Sequence, residues 1–358
     1  MKIGVLGLGG NGRGKLRVLK TSPLVSALIG MDINDEQAEK VAAEFDIQTF
    51  TNADRVIADP DVKLVFVSTS NDAHKDLSIA AINAGKAVLC EKPMANSLAD
   101  AREMVEAAEA AGTYFEIGFE LRFSKLYMKV KEWIDDGLLG DVINTNCWYT
   151  SSEFMGRHSW RITKAACGDM FGEKLCHYVD LPRWWIGDKV TEVYTVCAPN
   201  VVPYYEIRDN YHTTYRFENG AVSHLCFMMA PGATFRGDPL QDMIDQQRGD
   251  GHELRYFIQG TKGAAEVDIF TRRIKRWQFG DAPEGFTSDW VEDLTWPVEE
   301  DHAYFHNTTD HTLDVVRRVA EGLPPSTPVR DAYETTRLSY AAEKSADTGR
   351  IVRMDEME

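Results

Sequence analysis

The chain has 358 residues, 44% apolar and 27% charged, which gives length for two cores and excludes a disordered protein. Its 39 basic and 56 acidic side chains leave a formal net charge of −17, which excludes nucleic acid and anionic membrane as partners and suits a small neutral ligand. Cys90, Cys147, Cys167, Cys176, Cys197 and Cys226 lack zinc or redox spacing, no stretch reaches membrane-spanning length, and no secretory leader precedes the first apolar run, so a reducing cytoplasm is expected.

From residue 1 to about 120, short β-branched runs alternate with helical patterns. Strands are predicted near 2–7, 25–32, 63–69, 86–90 and 113–118, and helices near 11–20, 35–45, 73–84 and 97–112. Asn34-Asp35 and Ser97 are placed to cap two of those helices. The alternation predicts an α/β fold with a doubly wound parallel sheet. Directly behind the first strand stands Gly7-Leu8-Gly9-Gly10-Asn11-Gly12, and Asp32 follows twenty residues after the last glycine. Glycines at Gly7, Gly9, Gly10 and Gly12 clear the strand-to-helix turn so that a pyrophosphate can sit against the helix N-terminus. A carboxylate closing the second strand can then accept from both ribose hydroxyls, so the turn predicts a bound dinucleotide. Asp32 repels a 2′-phosphate and Ile33-Asn34 offers no arginine to receive one, which favours NAD over NADP. Glu91-Lys92-Pro93 follows the strand ending at Cys90, at the carboxyl end where open α/β sheets bind ligands. The proline holds Lys92 in an extended backbone, where its ammonium can stabilise a developing alkoxide; from position alone, a surface lysine in a turn is an equal reading.

Past Gly140 the pattern changes. Runs at 142–150, 190–197, 211–217, 221–228, 253–259 and 274–279 follow one another with hairpin connections, one of them at Asn219-Gly220, which predicts an α+β domain on a mostly antiparallel, open sheet. The polar insertion Pro231 to Gly251 is too long for a hairpin and reads as a lid or an oligomer arm. Residues 302–321 and 331–346 look helical. The expected division is 1–120 for the nucleotide domain, 121–330 for a substrate and oligomerisation domain, and 331–358 for a C-terminal helix returning to the first domain.

Glu173, His177 and Asp180 stand at i, i+4 and i+7, so a helix starting after Gly172 shows all three on one face, with Lys174 pointing elsewhere. An imidazole flanked by carboxylates can shuttle a proton, although a capping acid and a satisfied core histidine fit the same spacing. Trp184-Trp185 suits a sugar face or, more commonly, a core. His302, His306 and Asp310 share helical spacing compatible with a metal, but two ligands and a distant acid are a common accident on an amphipathic helix, and no metal is expected.

Taken with Thr69-Ser70-Asn71 and His74, Gly118 through Arg122-Phe123, Gly137-Leu138-Leu139-Gly140, Trp160-Arg161, His177-Tyr178-Val179-Asp180 and Gly260-Thr261-Lys262-Gly263, these motifs are ordered along essentially the whole chain. The chain resembles the Gfo/Idh/MocA oxidoreductases. That resemblance implies a Rossmann domain, a second open-sheet domain that often forms homodimers or homotetramers, and hydride transfer between NAD and sugars, cyclitols or related polyols. It implies Lys92 and His177 as catalytic residues, with Glu173 orienting the substrate or His177. Implied cofactor contacts are Gly7, Gly9, Gly10, Asn11, Gly12, Asp32, Thr69, Asn71, His74, Glu91, Lys92, Trp160 and Arg161. Around the substrate it implies Lys92, Arg122, Tyr149, His158, Glu173 and His177. The chain departs from the pattern at Glu173, where aspartate is usual, at Leu175, where glycine is common, and at Ser70, where proline is common.

Three functions share these residues. One is an NAD-dependent oxidation of a secondary hydroxyl of a sugar, cyclitol or glycoside. Another is a redox-neutral glycoside hydrolase in which transient oxidation, commonly at C3, permits elimination of the aglycone and hydration. The last is a non-catalytic NAD-sensing protein, against which the joint presence of Lys92 and His177 weighs.

Overall fold

A computed structural model describes residues 1–233, 249 and 251–357 of the chain. Most of the expected lid or oligomer arm, residues 234–248 and 250, lies outside the described residues. The chain divides into two compact units.

The first unit comprises Met1–Glu120, Ala165–Gly168 and Thr308–Thr336. Its strands are β1 (Lys2–Leu6), β2 (Ala27–Met31), β3 (Gln48–Phe50), β4 (Val62–Val67), β5 (Ala87–Cys90) and β6 (Phe115–Ile117). They form one six-stranded sheet in the order β3-β2-β1-β4-β5-β6, with every pairing parallel. Helices α1 (Gly10–Leu19), α2 (Asp35–Phe45), α3 (Asp54–Ile57), α4 (His74–Asn83) and α5 (Leu98–Ala111) connect the strands. Continuous apolar runs such as Leu64 to Val67 are buried because helices cover both faces of a parallel sheet. Asn34 accepts from the Gln37 N–H at 3.0 Å and Ser97 from the Asp100 N–H at 3.0 Å, so both expected caps are made. Strand β3 has no counterpart in the sequence reading, because three half-polar residues carry no period.

Glu116 on β6 is fully buried and shows how this unit treats a core carboxylate. It accepts from the Tyr114 and Ser326 hydroxyls, from the Ser326 N–H at 3.2 Å and from His311 Nε2 at 3.4 Å. Burial alone would raise its pKa, but the bonds from His311, Ser326 and Tyr114 outweigh it and hold the carboxyl below its ordinary value.

The second unit comprises Leu121–Lys164, Asp169–Asn307 and Arg337–Glu358. Among the described residues its nine strands are β7 (Val142–Ser151), β8 (Val190–Val196), β9 (Asn210–Phe217), β10 (Val222–Met229), β11 (Glu253–Gly260), β12 (Gly263–Asp268), β13 (Arg273–Ala282), β14 (Gly285–Thr295) and β15 (Val352–Arg353). They lie in the order β14-β13-β12-β11-β7-β10-β9-β8-β15. Among the described residues only β7 and β10 pair in parallel here; the other pairings are antiparallel. Alternation sends Cys147, Tyr149, Leu225, Phe227, Leu254, Tyr256 and Ile258 to one face, where α6 (Lys125–Asp135) and the helix Cys176–Ile186 cover them. Trp185 meets Tyr256 edge-on at 5.2 Å between ring centroids, and the Tyr256 hydroxyl donates to the Tyr178 carbonyl at 2.8 Å. Trp148, Tyr194, Val196 and Phe257 stand exposed on the sheet.

The end of the chain corrects the expected division. The helix Thr308–Glu321 belongs to the first unit, where Val315 and Val316 pack with Leu16 and Leu19. The helix Val329–Thr348 starts in that unit, but from Arg337 onward the chain belongs to the second, where Val352 pairs with Val193. The apolar face of Thr308–Glu321 was legible; which core it completes depends on partners some 300 residues earlier in the chain.

Candidate functional site

In the first unit, the glycine turn is built for close backbone approach. Gly7 has φ +87°, and a Cβ on Gly12 would lie 1.9 Å from the Gly7 carbonyl oxygen, so the turn tolerates no side chain there. A Cβ on Gly9 or Gly10 would meet no protein atom within 4 Å, so protein packing gives no reason for either to be glycine. That open side faces the start of α1, which begins at Gly10 without a side-chain cap, and the cradle fits the pyrophosphate of a dinucleotide. Asp32 accepts from the Leu8 N–H at 2.9 Å and the Asn34 N–H at 3.0 Å, one on each oxygen. Each oxygen keeps a lone pair for a ribose hydroxyl. Asp32→Gly is expected to lower the preference for NAD over NADP by about tenfold, since it removes the carboxylate that repels a 2′-phosphate. Dissociation constants for both nucleotides check this; an unchanged ratio would remove Asp32 from the selection.

The carboxyl ends of β1, β4 and β5 lie along one edge of the parallel sheet, so the turn carrying Lys92 stands on the same edge as the glycine cradle. The Lys92-Pro93 peptide is cis. His74 is fully buried on α4 and its Nδ1 lies 2.7 Å from the Pro93 carbonyl, while burial lowers its pKa and keeps it neutral. Asn71 donates to the Cys167 carbonyl at 3.1 Å. These two expected cofactor residues thus brace the unit itself. Glu91 is buried and forms an ion pair with Lys15 at 2.9 Å, a partner the sequence reading missed.

In the second unit the helix carrying His177 does not start after Gly172 in α geometry. It opens with a π turn, Phe171–Leu175, and continues as α from Cys176 to Ile186. Glu173, His177 and Asp180 are all buried. Glu173 accepts from Arg161, whose Nε lies at 2.7 Å, and Asp180 holds Arg122 in a two-point pair at 2.7 Å on each oxygen. Arg161 and Arg122, expected at cofactor and substrate, therefore bind the two acids of the motif helix. The Lys174 ammonium lies 5.8 Å from the Phe154 ring centroid, and the Arg161 guanidinium lies 5.5 Å from the same centroid.

His306 is a second residue the sequence reading did not connect to the site. Its ring lies 6.0 Å from that of His177. Tyr149 is buried against Tyr178 and Phe227, each at 5.1 Å, and burial raises the pKa of its hydroxyl. His158 and Trp160 are exposed. Trp185 is core, and Trp184 lies under the Arg122 guanidinium at 5.9 Å. Among the described residues no three His, Cys, Asp or Glu side chains are grouped to hold a metal, and no helix is long and apolar enough to cross a membrane.

The family described as "Oxidoreductase family, NAD-binding Rossmann fold" matches residues 1–119, and the "GFO/IDH/MocA C-terminal domain" matches residues 127–266. A myo-inositol 2-dehydrogenase of Thermotoga maritima is 24% identical over 376 aligned residues, covering 100% of this chain and 99% of that protein. An inositol 2-dehydrogenase of Pseudomonas savastanoi pv. phaseolicola is 32% identical over 201 residues, covering 55% of this chain and 57% of that protein. Levoglucosan dehydrogenase, solved in complex with NADH and levoglucosan, matches with a TM-score of 0.80 at 21% identity over 99% of both chains, a likeness of fold.

Proposed function

Because the chain belongs to the Gfo/Idh/MocA oxidoreductase family, with an NAD-binding Rossmann domain and the family's C-terminal domain, we propose that it oxidises a secondary hydroxyl of a sugar, cyclitol or glycoside. The observation that carries this reading is the shared carboxyl edge of the first unit's sheet, where the glycine cradle follows β1 and Lys92 follows β5. Relatives named for inositol and levoglucosan dehydrogenation support the substrate class.

Gly7 to Gly12 and Asp32 would hold the dinucleotide. When bound, NAD supplies the hydride acceptor at nicotinamide C4. The chain's own residues then manage one proton and one developing charge. His177 takes the hydroxyl proton at a ring nitrogen, and the Lys92 ammonium donates to the oxygen as it becomes an alkoxide. Glu173 holds Arg161 beside the turn that leads into His177, and so orients that helix rather than the substrate. A second copy of this chain is the partner we assign to the sheet surface around Trp148, Tyr194, Val196 and Phe257; an all-monomer sedimentation profile would remove it.

Purified protein tests the reaction when it is screened against sugars, cyclitols and glycosides, with NADH absorbance and aglycone release followed in parallel. NADH formed in step with substrate consumption, without aglycone, is the expected result. Glycoside cleavage without accumulation of NADH would assign the redox-neutral hydrolysis instead, and no turnover of either kind would overturn the enzymatic reading.

A further inference from the structure

Lys15 is a buried ammonium on the inward face of α1, beside Leu16 and Leu19, where an apolar side chain would be ordinary. It is 3% exposed, and its Nζ lies 2.9 Å from Glu91 Oε1 and 3.3 Å from Thr312 Oγ1. Thr312 gives its own proton to the Thr308 carbonyl at 2.6 Å, which leaves a lone pair to accept from the lysine. A charge taken this far out of water persists only with a counter-charge, and Glu91 is that counter-charge. On its other side Glu91 is hemmed in by Gly118, where a Cβ would lie 2.8 Å from Oε2, and its N–H donates to the Val67 carbonyl at 2.9 Å.

We propose that Lys15 is a positioning residue for the Lys92 amine: by taking the Glu91 carboxylate into a buried ion pair, it keeps that charge from capturing the ammonium one residue further on. The inference rests on the role given to Lys92 above. A carboxylate next to an ammonium holds it protonated and competes with a ligand oxygen for its hydrogen bonds. With Lys15 in place the Glu91 charge is already matched. His74 from α4, kept neutral by burial, and Cys90 on β5, whose thiol burial pushes up to about 12, also face this turn. Neither supplies a charge that could replace Lys15. Since α1 also carries the glycine cradle at its start, the same ion pair ties the cofactor-binding helix to the turn that presents Lys92.

The test needs neither substrate nor cofactor. The full chain is acetylated competitively with acetic anhydride across a pH series, and modification of the Lys92 peptide is read by mass spectrometry. Lys15→Met is expected to raise the midpoint of Lys92 reactivity by about one pH unit, so that at a fixed pH below the midpoint Lys92 reacts about tenfold more slowly. Lys15→Arg, which keeps the charge, should stay near wild type. Lys15→Met/Glu91→Gln removes both charges, should fold, and should return the midpoint to wild type or below. Should Lys15→Met fail to fold, Lys15→Gln is read the same way. A folded single variant with an unshifted midpoint overturns the proposal, and so does a double variant shifted as far as the single. Because no polyol enters the assay, failure of the substrate reading and failure of this one are separable.

Discussion

Lys92→Ala is expected to lower kcat by about a thousandfold while the dissociation constant for NAD stays within about threefold of wild type. The separation follows from where each task sits on the sheet. On the proposed assignment, dinucleotide affinity comes from the turn after β1 and from Asp32 after β2, whereas Lys92 follows β5 on the far side of β4. In the proposed mechanism, removing the amine takes away a donor to charge that develops only as the alcohol is oxidised, which costs rate and not ground-state nucleotide binding. Initial rates at saturating NAD, set beside equilibrium binding of NAD to the same preparation, check both halves. A variant with wild-type kcat would take the lysine out of the mechanism, and one that no longer bound NAD would assign it to the cofactor alone.

Asp180→Ala is expected to cost about 3–5 kcal/mol of stability, a large part of what a domain has to lose. Asp180 and Arg122 have side chains only 2% and 9% exposed, and they meet through two parallel bonds. Deleting the carboxylate strands a buried guanidinium without its two-point partner. Replacing both residues, as in Arg122→Met/Asp180→Leu, should recover most of the loss, because the stranded charge and not the missing bond is the main penalty. Asp180 stands three residues beyond His177 on the same helix, so the single variant should also lose activity under conditions where it remains folded. Urea denaturation of both variants measures this. A single-variant cost under about 1 kcal/mol would place the pair with ordinary surface ion pairs.

How much of this could be read beforehand divides by the range of the cause. The parallel strands of the first unit other than β3, the caps at Asn34 and Ser97 and the glycine turn are local patterns, and each lies where its spacing put it. Strand β14 was invisible because it is an exposed edge strand carrying Asp289, Glu292 and Asp293, so neither face supplies an apolar period. Strand β12 was missed because Gly263-Ala264-Ala265-Glu266-Val267-Asp268 is short and rich in small residues. The motif helix was recognised, but its π turn has no signature in residue spacing. The ion pairs of the site were beyond reach for a simpler reason. Lys15 and Glu91, or Arg122 and Asp180, are separated by scores of residues, and nothing in either neighbourhood names the other. The sequence thus nominated side chains for chemistry, while what holds those side chains emerged only from the fold.

Transfer of carbinol hydrogen tests the central claim most directly. Cyclitols, sugars and glycosides deuterated at their carbinol carbons are incubated with the protein and NAD, and the nicotinamide, free and protein-bound, is analysed by mass spectrometry and proton resonance. The account predicts deuterium at nicotinamide C4 with at least one compound class, and its loss in Lys92→Ala and His177→Ala. Nicotinamide that stays unlabelled across the whole panel, on a protein shown to have NAD bound, would contradict it.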